Sequence, residues 1–220
     1  MSITIGAVTI GQSPRDDVVP VIQNVLGPEV SIIQCGALDG MDAAQVEREA
    51  PKVTEGVLVT RMRDRTSLRV RREFLVPRIK HCIHSIQDEA KLVLLLCTDP
   101  FSGLESKRLL LLPGLIMTHL VTALGVQRIG VLTPVEEQIN QQHDKWGRVV
   151  RRVFVAAASP YAEPDLVPVA AQALAREKVE MVVMDCIGYT PAMKAEVSRA
   201  VQRPVLLPST ILAHTAAELL

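Results

Sequence analysis

The sequence predicts an α/β fold of two pseudo-symmetric lobes, each a mostly parallel sheet flanked by helices, with an interlobe cleft. Three observations predict it. Apolar runs of strand character alternate with amphipathic helical stretches along all 220 residues, the pattern of parallel sheets covered on both faces. Each half opens on a strand that ends in threonine close to a proline, Thr9 before Pro14 and Thr133 before Pro134. Each half later carries an apolar run that ends in a thiol, Leu92–Cys97 and Met181–Cys186. Residues 1–112 are read as the N-terminal lobe, with a β-hairpin inserted near 57–70, and residues 113–220 as the C-terminal lobe.

Ile3–Ile10 is the first strand and Gly11-Gln12-Ser13-Pro14 its exit loop. Between Arg15 and Leu26, Val18, Val19, Ile22 and Leu26 fall on one helical stripe, which Gly27-Pro28 ends. Val30–Cys35 is the second strand, followed by Gly36 and a short helix that starts near Asp42 and stops before Pro51. Gly56–Met62 and Thr66–Val70 are two alternating runs around the polar Arg63-Asp64-Arg65, which predicts the hairpin. Pro77 argues against one continuous helix through the next stretch. From Pro77 onward, Ile79, Cys82, Ile83 and Ile86 repeat at helical spacing, and Leu92–Leu96 is the strand that leads to Cys97.

The segment from Leu109 to Leu124 contains Pro113, Gly114 and His119 and reads as a buried loop–helix element. It falls short of the roughly 20 apolar residues that cross a bilayer. The second half restarts the alternation with strands at Ile129–Thr133, Val153–Ala157, Met181–Met184 and Val205–Leu207. Its helices are Val135–Trp146, Leu166–Glu177, Pro191–Val201 and Ser209–Leu220.

Composition narrows the function. The formal charge is zero, with 24 basic and 24 acidic residues, so a general attraction to nucleic acid or anionic membrane gets no support. Aromatic residues make up 3%, too few for base-stacking platforms. The opening Met-Ser-Ile-Thr-Ile-Gly has no basic and apolar leader pattern. Cys35, Cys82, Cys97 and Cys186 match no zinc ribbon or redox pair, and four free thiols in a cytoplasmic protein are expected. Without a Gly-rich phosphate loop, no nucleotide cofactor is expected, and His81 and His84 lack a third ligand for a metal.

The two thiols at strand ends are the strongest functional signal, because ligands of open α/β sheets bind at the carboxyl ends of strands. A buried free cysteine is most often a packing residue. That reading suits Cys35 and Cys82, whereas Cys97 and Cys186 are expected to line one cleft. A thiolate abstracts a proton next to a carbonyl without metal or cofactor if its pKa, ordinarily ~8.5, is lowered by helix N-termini or cations. Pro100 and Pro191 stand where such helices could start. Thr98, Ser13 and Thr133, with backbone amides at Gly11 and Gly188, are candidate donors to a substrate oxyanion. Thr9, Gln12, Pro134 and Tyr189 complete the expected binding set. Arg15 or Arg61 is positioned to hold an anionic substrate, and only one of Thr60 and Arg61 can face inward on an alternating strand. Alternation likewise sends Asp185 to the face opposite Cys186. The wider basic cluster, Arg61 to Lys80, reads as a solvated surface or an oligomer contact, and a homo-oligomer is expected.

These segments resemble a known family. Thr9-Ile-Gly-Gln-Ser-Pro-Arg15, Leu58-Val-Thr-Arg61-Met-Arg-Asp64, Thr133-Pro-Val-Glu-Glu137, Met184-Asp-Cys186-Ile-Gly-Tyr189 and Val205-Leu-Leu-Pro-Ser209 are similar to the AroM family. That family in turn resembles the cofactor-independent aspartate/glutamate and hydantoin racemase superfamily. Cys97-Thr-Asp-Pro100 is similar to the first cysteine motif of the hydantoin racemases, and Cys186-Ile-Gly to the second. The resemblance implies two α/β lobes with one catalytic cysteine from each, and proton transfer next to a carboxylate or amide carbonyl of a small molecule. A carboxylate or cyclic amide is the implied substrate. The alternatives are a one-cysteine decarboxylase or cis–trans isomerase of a small diacid, and a non-catalytic binding protein linked to aromatic metabolism.

Overall fold

The alternation of strands and helices resolves into two four-stranded parallel sheets in a computed structural model that describes residues 3–49 and 56–220. The chain forms two compact units, one of Met1–Pro113 with Leu212–Leu220 and one of Gly114–Ile211. The final stretch therefore groups with the first unit, whereas the sequence reading places it in the second lobe.

In the first unit, β1 (Ile3–Thr9) is a central strand between β2 (Val30–Gly36) and β5 (Leu92–Leu96), and β6 (Leu109–Leu111) borders β5. All three pairings are parallel. Every residue of β5 is buried, as expected for a strand covered on both faces. Each such leucine contributes about 1.5–3 kcal/mol of burial. The connections are helices α1 (Val19–Leu26), α2 (Ala43–Glu47) and α3 (Arg72–Ile86). Asp42 caps α2 by accepting from the Gln45 N–H, while the Gln45 side chain returns the bond to the Asp42 N–H. The expected stop of this segment at Pro51 lies outside the described residues. β3 (Val57–Arg61) and β4 (Ser67–Arg71) form the expected antiparallel hairpin.

The second unit repeats the plan. β7 (Arg128–Thr133) lies between β8 (Arg152–Ala157) and β9 (Met181–Met184), and β10 (Val205–Leu206) borders β9. Taken from the first outer strand, β2-β1-β5-β6 and β8-β7-β9-β10 are the same order. Its helices are α4 (Pro113–Leu124), α5 (Ile139–Trp146), α6 (Val167–Ala175) and α7 (Pro191–Val201), with a 3₁₀ turn at Glu136–Gln138, and α8 (Pro208–Glu218) starts in this unit and runs on into the stretch from Leu212 that groups with the first. Trp146 is fully buried with Met117, Val121, Ile129 and Val131, the packing role its sequence position implies. Among the described residues, no helix is long and apolar enough to cross a membrane.

Three expectations need correction. α3 runs unbroken through Pro77, because its buried stripe of Leu75, Ile79, Cys82, Ile83 and Ile86 spans both sides of the proline. Pro77 itself is exposed, on the side of α3 away from that stripe. Leu109–Leu111 is a strand rather than part of a loop. Cys35 and Cys82 are joined by a disulfide, with Cα atoms 5.5 Å apart, while Cys97 and Cys186 are in no disulfide. The crossover from β2 to α3 brings together cysteines 47 residues apart, which spacing alone does not reveal. The premise of four free thiols therefore fails, and with it the cysteine argument for a reducing compartment.

Candidate active site

In the first unit, the register pairs Thr9 with Leu96, so Cys97 stands one residue beyond the partner of Thr9. Cys97 and Thr98 are buried, Cys97 with 8% exposure. Asp99, next in the loop, is bound by Arg72 of α3 at 2.6 Å, and the Arg72 guanidinium lies 6.0 Å from the Phe101 ring centroid. The start of α3 thus fixes the loop that carries the first thiol.

The exit loop of β1 is braced from several sides. Gln12 donates through Nε2 to the Met41 carbonyl at 2.7 Å, and its Oε1 accepts from the Arg63 N–H at 2.8 Å. Ser13 gives its N–H and hydroxyl to the two oxygens of Asp39, at 2.8 and 2.6 Å. The Gln12 N–H donates to the Arg61 carbonyl at 3.0 Å, so the hairpin is attached directly to this loop. Gly11 is required by that approach, since a Cβ there would enter the Arg61 carbonyl and lie 2.6 Å from the Thr60 hydroxyl. Gly11→Ala is expected to destabilise the protein by about 1–3 kcal/mol, read by urea denaturation, because the obstacle is backbone and cannot rotate away.

Arg15 is buried, and its guanidinium grips both oxygens of Asp17, at 2.8 and 2.9 Å, while Nη1 donates to the Thr9 hydroxyl at 2.9 Å. Arg61 also reaches Asp17, at 3.5 Å, and keeps part of its side chain at the surface. Thr60 is buried beside it, the alternation expected of this strand. Burial pushes the Asp17 carboxyl up, but the hydrogen bonds and positive charge of Arg15, then the charge of Arg61, outweigh it and hold Asp17 below its ordinary value. A lowered carboxyl stabilises the fold above the unfolded pKa and loses that contribution as pH falls through the folded value. The stability difference between wild type and Asp17→Asn should therefore be full near pH 6 and shrink below about pH 4, measured by denaturant titration at each pH.

In the second unit, the same relation recurs. β7 and β9 are paired as far as Leu132 and Met184, and the Asp185 N–H extends the ladder to the Leu132 carbonyl at 2.8 Å. Cys186 again stands one residue past the level of the threonine, here Thr133, and is also 8% exposed. Thr133 and Pro134 are buried, and the Thr133 hydroxyl bonds to Gln138 Oε1 at 2.8 Å. The carbonyls of Thr9 and Thr133 accept from matching alanines, Ala37 at 2.9 Å and Ala158 at 2.8 Å.

Asp185 faces away from the thiol's apolar neighbours. Lys145 Nζ lies 2.7 and 3.0 Å from its oxygens, and Trp146 Nε1 donates to Oδ2 at 2.7 Å. Cys186 instead packs with Leu132, Ala158, Val167 and Tyr189. After Cys186 the chain turns, the Tyr189 N–H donating to the Cys186 carbonyl at 3.3 Å. The Ile187 and Gly188 amides lie inside this turn and take no part in its own hydrogen bond. Tyr189 is buried and donates its hydroxyl to the Ala158 carbonyl at 2.6 Å. Burial first, then the negative charge of Cys186 and Asp185 when ionised, pushes the phenol well above its ordinary pKa, so Tyr189 stays neutral.

Sequence reasoning missed several residues of these clusters. Asp17 and Asp39 hold the β1 exit loop, Asp17 through Arg15 and Asp39 through Ser13. Tyr161 rests on Gly188 so closely that a Cβ at 188 would enter its hydroxyl and lie 2.7 Å from Cε1. A tyrosine in a loop gives no periodic signal, so nothing in the sequence pointed to it. Among the described residues, no cluster of His, Cys, Asp or Glu is arranged to hold a metal.

The sequence matches the family described as "AroM protein" over residues 5–220. No curated protein matches it. Solved structures share its fold. Allantoin racemase from Klebsiella pneumoniae superposes with a TM-score of 0.65 at 13% identity, over 99% of this chain and 87% of that one. The maleate isomerase Iso from Pseudomonas putida S16 gives 0.65 at 10% identity, over 99% and 92%. Arylmalonate decarboxylase gives 0.64 at 13% identity, over 99% and 91%. At these identities the likeness is one of fold.

Proposed function

The chain belongs to the AroM family, and we propose that it is a cofactor-independent enzyme of racemase or epimerase type. Its substrate is a small molecule with a carbon acid next to a carboxylate or amide carbonyl. Cys97 and Cys186 are the proton carriers. One, as thiolate, takes the proton from carbon, and the electron pair of the broken C–H bond passes to the carbonyl oxygen as an enolate. The other, as thiol, returns a proton to the same carbon and becomes the thiolate. Inversion leaves the protein with the two roles exchanged.

The observation that carries this reading is the repeated placement of the two thiols outside the disulfide. Each stands one residue past the level of a buried threonine, at a strand end, in a sheet of the same strand order. The amides of Ile187 and Gly188, and Thr98 beside Cys97, are suited to receive the enolate oxygen, worth about 10²–10³-fold for one such donor. Arg61 is the cation assigned to the substrate's anionic group, because Arg15 is closed off by its two-pronged contact with Asp17. The shared fold with a racemase, an isomerase and a decarboxylase agrees with chemistry on small carboxylates or amides.

A thermal-shift screen of small carboxylates and hydantoins is expected to yield a ligand that raises the melting temperature. Iodoacetamide labelling, mapped by mass spectrometry, is then expected to show that this ligand shields both Cys97 and Cys186. Shielding of one thiol alone would replace the two-cysteine reading with one-cysteine chemistry.

A further inference from the structure

The start of α8 is buried, and among the described residues no side chain caps it. The Ile211 N–H donates to the Leu207 carbonyl at 3.1 Å, which makes Leu207 the capping residue and Pro208 the first helical one. Proline suits that position because it has no N–H to satisfy. Leu207 has only hydrocarbon to offer the amides of Ser209 and Thr210. α7 begins differently, for its cap Thr190 accepts from the Met193 N–H at 3.2 Å. Leu207, Pro208 and Ser209 are all buried, so solvent does not replace the missing cap.

A second observation is independent of the helix. The Ser209 hydroxyl belongs to a residue only 1% exposed and has no hydrogen-bond partner among the described residues. A buried hydroxyl left this way costs about 1–3 kcal/mol, and such groups usually have a partner in protein, water or ligand. The place matters as well. β10 lies beside β9 in parallel, with Leu206 opposite Val183, so the chain enters α8 at the same end of the sheet where β9 delivers Cys186. An amide-rich helix start with its positive dipole end favours an anion.

We propose that the N-terminus of α8, with the Ser209 hydroxyl as its specific donor, is the subsite for the substrate's carboxylate in the second unit. The proposal rests on the carboxylate-directed reading of Cys186 given above and names a residue for it. The hydroxyl and the amides of Ser209 and Thr210 hydrogen-bond the carboxylate oxygens, and the helix dipole stabilises the added negative charge as an enolate forms. Arg61 is then left for a second anionic or polar group.

Malonate is the probe. Its dissociation constant is measured by titration calorimetry on wild type and Ser209→Ala, together with thermal unfolding of both proteins without ligand. Ser209→Ala is expected to unfold at the wild-type temperature or higher, since it removes an unsatisfied buried hydroxyl, yet to bind malonate about tenfold or more weakly. Equal affinity in the two proteins would overturn the Ser209 assignment and leave the reading of Cys186 intact. Failure of malonate to bind wild type, with no shielding of Cys186 from iodoacetamide, would overturn both.

Discussion

Cys97→Ser and Cys186→Ser are each expected to lower turnover by roughly 10²–10⁴-fold while leaving the fold unchanged. Serine keeps the shape of the side chain, and each thiol stands at a strand end with 8% exposure. Its hydroxyl, however, does not ionise near neutral pH and cannot act as the base. For an inverting enzyme the two losses should be similar in size, because each thiol is base in one direction and acid in the other. A marked imbalance, with one variant close to wild type, would assign the chemistry to a single cysteine. Thermal unfolding of both variants provides the control, and melting temperatures near wild type separate lost chemistry from lost structure.

Lys145→Ala is expected to destabilise the protein by about 3–5 kcal/mol, the largest stability effect of any single change considered. The Asp185 side chain is fully buried and its charge is balanced only 2.7 Å away by Lys145, itself 12% exposed. Removing the ammonium leaves a carboxylate in the interior that still accepts from the indole N–H of Trp146. Asp185→Asn should be milder, because an amide still accepts from Trp146 without a buried charge. Denaturant titrations of both variants at pH 7 test the order. The pair also matters to the site, since Asp185 immediately precedes Cys186 and its anchoring fixes where β9 ends. A Lys145→Ala protein that remains folded should therefore label at Cys186 with iodoacetamide faster than wild type.

Much of the fold was legible because the signals are local. Runs such as Leu92–Leu96 and Met181–Met184 are short, wholly apolar and bounded by turn residues, and both are strands as read. Pro191–Val201 was readable from its leading proline. The parts that were missed depend on tertiary context. Three leucines at 109–111 cannot show alternation, and their strand exists because β5 offers a partner edge. Pro77 carries a strong local signal against a helix, but burial of the stripe on either side of it prevails. The Cys35–Cys82 pairing is set by the crossover from β2 to α3 and has no local signature. At the candidate site, the two thiols proposed to carry the chemistry were legible from strand-end position. Their supports were not, because Asp17, Asp39, Lys145 and Tyr161 become informative only when their contacts are known.

The account turns on two thiols sharing the work of moving one carbon-bound proton. Once the thermal-shift screen supplies a ligand, proton NMR in D₂O of that ligand with catalytic amounts of protein tests this most directly. The signal of the proton next to the carbonyl is expected to disappear as solvent deuterium enters, and Cys97→Ser and Cys186→Ser are each expected to slow the loss by orders of magnitude. A ligand that binds tightly and keeps its proton, or one exchanged at the wild-type rate by either variant, would contradict it.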